Sequence, residues 1–154
     1  MARALQVLLV EDNDDDATLI GLAFQSIGGG HKVCSVSGAE DAIQLLQEKD
    51  RRQLPLPDLV LIDLRMPRLS GLDFLAWLQR HPRLSALPAV VLSGSSIDCE
   101  IKEAYQLGAR SVLVKPAGFN ELKNGLSAFI SFWSMCRFPS GVPAPADGLP
   151  HPLS

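Results

Sequence analysis

Residues 10–19, VEDNDDDATL, place five carboxylates in six positions: Glu11, Asp12, Asp14, Asp15 and Asp16. They follow directly on the apolar run LQVLLV, and like charges at that density repel one another, so a cation or a helix terminus has to offset them. Three further polar residues stand at equivalent places, each closing an apolar run: Asp63 after LVLI, Ser93 after PAVVL and Lys115 after SVLV. Glu11 and Asp12 beside Asp63 would be three clustered acids. Hard oxygen ligands without a nearby His or Cys point to Mg²⁺, which keeps several waters and uses one or two carboxylates. An aspartate held near Mg²⁺ and a fixed ammonium is a competent nucleophile toward a phosphoryl group. Lys115 would neutralise the transferred oxygens and the Ser93 hydroxyl would hydrogen-bond one of them. The remaining acids have a simpler reading. Asn13 can cap a helix, and Asp14, Asp15 and Asp16 then fall in its first turn, where the helix dipole favours each by roughly 0.3–1 kcal/mol.

Whether these residues meet depends on the elements that carry them. Strand-length apolar runs recur at 5–10, 31–36, 58–63, 88–93 and 111–115, three of them nearly continuous Val/Leu/Ile, the pattern of strands covered on both faces. Helical periodicity fills the intervals at 14–27, 39–49, 71–80 and 97–107, and again from about 120 to 135. Ser37-x-x-Glu40 predicts a capping box for the second helix, Ser70 an N-cap for the third, and Gly108 the end of the fourth. Five βα units predict an α/β fold, a doubly wound parallel sheet with helices on both faces. Ligands of such sheets bind beyond the carboxyl ends of the strands. Every strand but the second delivers a polar residue to that rim, so Glu11, Asp12, Asp63, Ser93 and Lys115 are expected to converge. Any one of them alone has a plain structural role; the joint occurrence favours a site.

Bulk properties narrow the function classes. The 154 residues suit one domain, net charge −3 and pI near 5.5 give a nucleic-acid surface no support, and no apolar stretch approaches a membrane span. Cys34, Cys99 and Cys136 are scattered without a CxxC pair, which predicts free thiols in a reducing cytoplasm. The N-terminus does not read as a secretory signal. A domain over 1–137 is expected, followed at 138–154 by a flexible tail, because residues 139–154 hold five prolines and two glycines in sixteen.

The motifs LLVEDN, DLVLIDLRMPRLSGLDFL, VVLSGS and GARSVLVKPAG together resemble a response-regulator receiver domain of two-component signalling, over residues 4 to about 135. The resemblance implies a flavodoxin-like sheet of order 2-1-3-4-5 and a non-enzymatic phosphoacceptor that takes its phosphoryl group from a sensor histidine kinase onto Asp63. It implies that Asp12, Asp63 and the backbone carbonyl of Arg65 bind Mg²⁺, that Glu11 acts through a metal-bound water, and that Lys115 contacts the phosphoryl group while Ser93 reports on it. It also implies a cis Lys115–Pro116 bond. PRLSGLDFLAWLQRHPRLSALPAVVLS and AFISFW are similar to small stand-alone regulators paired with bacterial phytochromes, which makes a phytochrome the expected kinase. One departure is Val112, where many receivers carry an aromatic switch residue. An aspartyl-nucleophile phosphohydrolase would need a second acid two residues after Asp63, where Arg65 stands, and the complete residue set disfavours a degenerate, phosphorylation-independent binding module. Only the short tail follows, so output is expected through a downstream protein. On the last helix Phe132 falls off the core stripe Phe119, Leu122, Leu126, Phe129, Ile130 and Trp133. With Val112 it predicts an apolar patch and a two-fold homodimer through the fourth helix, fifth strand and fifth helix.

Overall fold

A computed structural model describes residues 4–94 and 98–136. The apolar runs form five parallel strands, β1 (Gln6–Val10), β2 (Lys32–Val36), β3 (Leu59–Ile62), β4 (Ala89–Ser93) and β5 (Ser111–Val114), in the order β2-β1-β3-β4-β5. Every residue of β3 and β4 is buried, as their continuous Val/Leu/Ile character requires of central strands. The alternation of side chains divides the interior in two. Leu8, Val10, Val60, Ile62 and Val91 pack against the face bearing α2 (Ala39–Arg51) and α3 (Gly71–Gln79), where Leu46, Phe74 and Leu75 complete the core. Val7, Leu9, Leu61 and Leu92 face α1 (Asp14–Ile27) and α5 (Phe119–Met135), through Ile20, Phe24, Leu126 and Ile130. Burying each such side chain contributes roughly 1.5–3 kcal/mol. α4 (Asp98–Gln106) buries only Ala104 fully.

The register aligns Val10 with Ile62, Ile62 with Val91 and Ser93 with Val114, which brings the carboxyl ends of β1, β3, β4 and β5 to one rim. α1 opens as predicted, the Asp16 amide donating to Asn13 Oδ1 at 3.0 Å with Asp14, Asp15 and Asp16 in the first turn. α3 has the Ser70 cap in a full capping box with Asp73. α4 closes before Gly108, whose φ is 97°. The predicted box on α2 is absent. Its N-cap is Gly38; Ser37 Oγ donates to Asp41 Oδ2 at 3.0 Å and Glu40 accepts from Arg68 Nε at 3.1 Å, so both side chains are engaged elsewhere. Ile97 and the tail, with its boundary at 137/138, lie outside the described residues. Among those described, no helix is long and apolar enough to cross a membrane.

Candidate functional site

Glu11 leaves β1 with its amide donating to the Val36 carbonyl at 3.1 Å, which turns its side chain into the rim at 2% exposure. The carboxylate accepts from the Asn13 amide at 3.2 Å and from Lys115 Nζ at 2.8 Å. Burial raises this carboxyl from 4.5 to about 7, and the charge of Asp63 adds to the effect against the opposing pull of Lys115. Asp12, the next residue, is exposed. Asp63 continues the β1–β3 ladder, donating its amide to Val10 O at 3.2 Å, and its Oδ1 accepts the Arg65 amide at 3.2 Å. Glu11, Asp12 and Asp63 each offer a carboxylate oxygen, all within 4.8 Å of one another. This donor set, oxygen only and partly open to solvent, fits a hard divalent cation and has no ligand for a soft one.

Lys115 is placed by its backbone, which donates to Ser93 O at 2.7 Å and so ties the end of β5 to that of β4. Its ammonium lies 2.8 Å from Glu11 Oε1, 3.0 Å from Asp16 Oδ2 and 3.5 Å from Asp63 Oδ2. Burial works against the charge, but the hydrogen bonds to Glu11 and Asp16 and the charge of Asp63 outweigh it and hold the ammonium well above the ordinary lysine range. Lys115 therefore remains charged, and Glu11 is the partner that takes a proton as pH falls. Ser93, 1% exposed, closes β4 on the same rim.

The five predicted residues thus share one edge of the sheet, and Glu11, Asp63 and Lys115 are in direct contact. Three features depart from expectation. Asp16, read as a helix-start acid, also holds Lys115. Its signal was weak but present: an ammonium carries three donors, and α1 begins on the rim where Lys115 ends β5. The Lys115–Pro116 bond is trans, the isomer an X–Pro bond favours by about 0.5–1 kcal/mol, and Lys115 reaches its three acids in that form. Val112 is not part of an exposed patch. It packs against the α2/α3 core, while Val114 on the same strand is exposed. Arg65 spans from the loop after β3 to α4, its guanidinium 3.2 Å from Glu100 Oε1.

Fold and site define an α/β protein with an acidic, lysine-closed pocket at the carboxyl edge of a parallel sheet. Residues 7–127 match the model of the response regulator receiver domain, and the chain belongs to that family. It is 35% identical over 127 residues to the probable methanogenesis regulatory protein FilR2 of Methanothrix harundinacea, covering 82% of each chain. Among solved structures it is similar to the phosphorylated cyanobacterial phytochrome response regulator RcpA, with TM-score 0.81 and 31% identity over 89% of this chain and 99% of that one. It is also similar to the Mn²⁺-bound form of Rcp1, from Synechocystis sp., with TM-score 0.78 and 27% identity over 88% and 99%.

Proposed function

We propose that this protein is a stand-alone response regulator that takes a phosphoryl group from a sensor histidine kinase onto Asp63 in a Mg²⁺-dependent reaction and signals through protein contacts. The observation that carries the reading is the Lys115 ammonium, placed within 3.5 Å of both the buried Glu11 and the candidate acceptor Asp63. Similarity to RcpA and Rcp1 over nearly their whole lengths supports a stand-alone regulator and makes a bacterial phytochrome the kinase of choice. The cation would be held by Asp12, Asp63 and the Arg65 backbone carbonyl, with Glu11 acting through a water. When bound it would neutralise charge on the transferred oxygens.

Asp63 supplies the attacking oxygen: an O–P bond forms as the donor's P–N bond breaks, and the electron pair returns to the donor imidazole. The Arg65 amide on Oδ1 orients the carboxylate, leaving Oδ2 on the side of Lys115. Lys115 offers its charge to the incoming oxygens, and Ser93 stands at the end of the adjoining strand to hydrogen-bond one of them. Exposed Leu19 on α1, which lines a small cavity with Asp16 and Lys115, gives the kinase an apolar contact beside this rim. The protein catalyses only its own phosphotransfer and dephosphorylation, and it works in the cytoplasm. Acetyl phosphate with Mg²⁺ is expected to add one phosphoryl mass, with EDTA abolishing the reaction. Labelling that proceeds equally well in EDTA defeats the proposal.

A further inference from the structure

Asp16 lies outside the acceptor set yet shares its lysine. An ammonium has three N–H donors and no acceptor. Glu11 takes one at 2.8 Å and Asp16 a second at 3.0 Å, which leaves the third for the looser 3.5 Å approach to Asp63. The two anchors come from different elements, the end of β1 and the first turn of α1. A lysine ammonium rides on a flexible four-carbon stem, so one partner leaves it free to swing and two fix it. Asp16 is itself fixed, because its amide is the one that Asn13 caps. It also precedes the buried Ile20 by four residues and so lies on the inward stripe of α1, whereas Asp14 and Asp15 are exposed. An acid needed only for the helix dipole has no reason to face inward.

We infer that Asp16 is a positioning residue that, together with Glu11, orients the Lys115 ammonium so that its remaining N–H faces the oxygen a phosphoryl group would bring to Asp63. The role rests on the acceptor reading of Asp63. Asp16 also adds negative charge near an arriving anion. Its direct contact, at 3.0 Å, is with Lys115, and the phosphorylation rate of Asp16→Asn weighs positioning against that repulsion.

Two measurements on the full chain test the inference. In metal-free protein, NMR of ¹⁵N-lysine is expected to show slow exchange of the Lys115 ammonium hydrogens, faster by several-fold in Asp16→Asn and unchanged in Asp15→Asn. At saturating Mg²⁺ with acetyl phosphate, Asp16→Asn is expected to slow phosphorylation by roughly three- to tenfold, the range one hydrogen bond supplies. The same substitution in a Lys115→Ala background should cost nothing further. An ammonium exchange rate that ignores Asp16, a rate of phosphorylation that stays level or rises in Asp16→Asn, or an equal loss in the Lys115→Ala background overturns the inference. A wild type that takes no phosphoryl group overturns the acceptor reading and this role with it, while the ammonium exchange still reports separately on whether Asp16 holds Lys115.

Discussion

At the scale of single residues, Glu11 shows how burial and charge compete. With its carboxyl raised from 4.5 to about 7, the folded protein binds more protons than the unfolded chain between those values. The stability this contributes is fully present below 4.5 and lost as pH rises through about 7. Metal-free wild type is therefore expected to lose stability relative to Glu11→Gln across that window, by up to about 1.4 kcal/mol per pH unit at the steepest. Urea melts of the two proteins at several pH values check this, and a constant difference between them contradicts it. Gly71 is constrained by space rather than charge. A Cβ there would stand 2.5 Å from the Asp63 carbonyl oxygen and 2.7 Å from Leu64 Cα, backbone atoms that cannot rotate away. Gly71→Ala is expected to cost about 1–3 kcal/mol and to slow phosphorylation by displacing the acceptor loop, measured as a lowered melting temperature together with reduced labelling. A melting temperature and labelling rate equal to wild type contradict that. The acids, Asp63, Ser93 and Lys115 were legible in sequence because each closes an apolar run and strand ends share a rim. The second duty of Asp16 was only faintly legible, since its partner lies 99 residues away.

At the scale of elements, periodicity alone placed all five strands and five helices, with ends trimmed or extended by one or two residues. Local pattern failed where a distant side chain intervened. The capping box at Ser37 and Glu40 is dissolved by Arg68, 28 residues on, while in the Ser70–Asp73 box each side chain accepts from the other's backbone amide. Strand β5 shows the same limit. Hydropathy could not say which of its alternate valines is covered; Val112 meets the core and its amide donates to the Tyr105 hydroxyl at 3.1 Å. Tyr105 so protects the edge strand while staying 49% exposed; Val114 on β5 is 62% exposed and Phe132 on α5 65%. Phe132 is turned roughly 120° from Leu126 at 3.6 residues per turn, which keeps it off the core. We propose that these residues line a two-fold interface between copies of the chain. Light scattering with and without a phosphoryl mimic is expected to show a dimer that Phe132→Glu weakens at least tenfold, roughly the 1.4 kcal/mol or more that a buried aromatic contact supplies. A monomer in both states at high concentration, or an undiminished dimer in the variant, contradicts it.

At the scale of the whole molecule, two apolar layers clamp a central sheet whose fully buried strand β3 carries Asp63 at its end, between β1 with its acids and β4 with Ser93. That order puts the most rigid part of the fold under the candidate acceptor and leaves α4, which buries only Ala104, as the α-helix least held by packing. If Asp63 takes a phosphoryl group, contacts on the α4 and β5 side are the ones that can change while the core stays in place. The central claim is that Asp63 accepts the phosphoryl group. The most direct measurement is peptide mass mapping of the protein after treatment with acetyl phosphate and Mg²⁺ and trapping of the acyl phosphate with borohydride. The expected result is one modification, at Asp63, in wild type and none in Asp63→Asn. A modification mapped to another residue, or a stoichiometric carboxylate label that persists in Asp63→Asn, contradicts the claim.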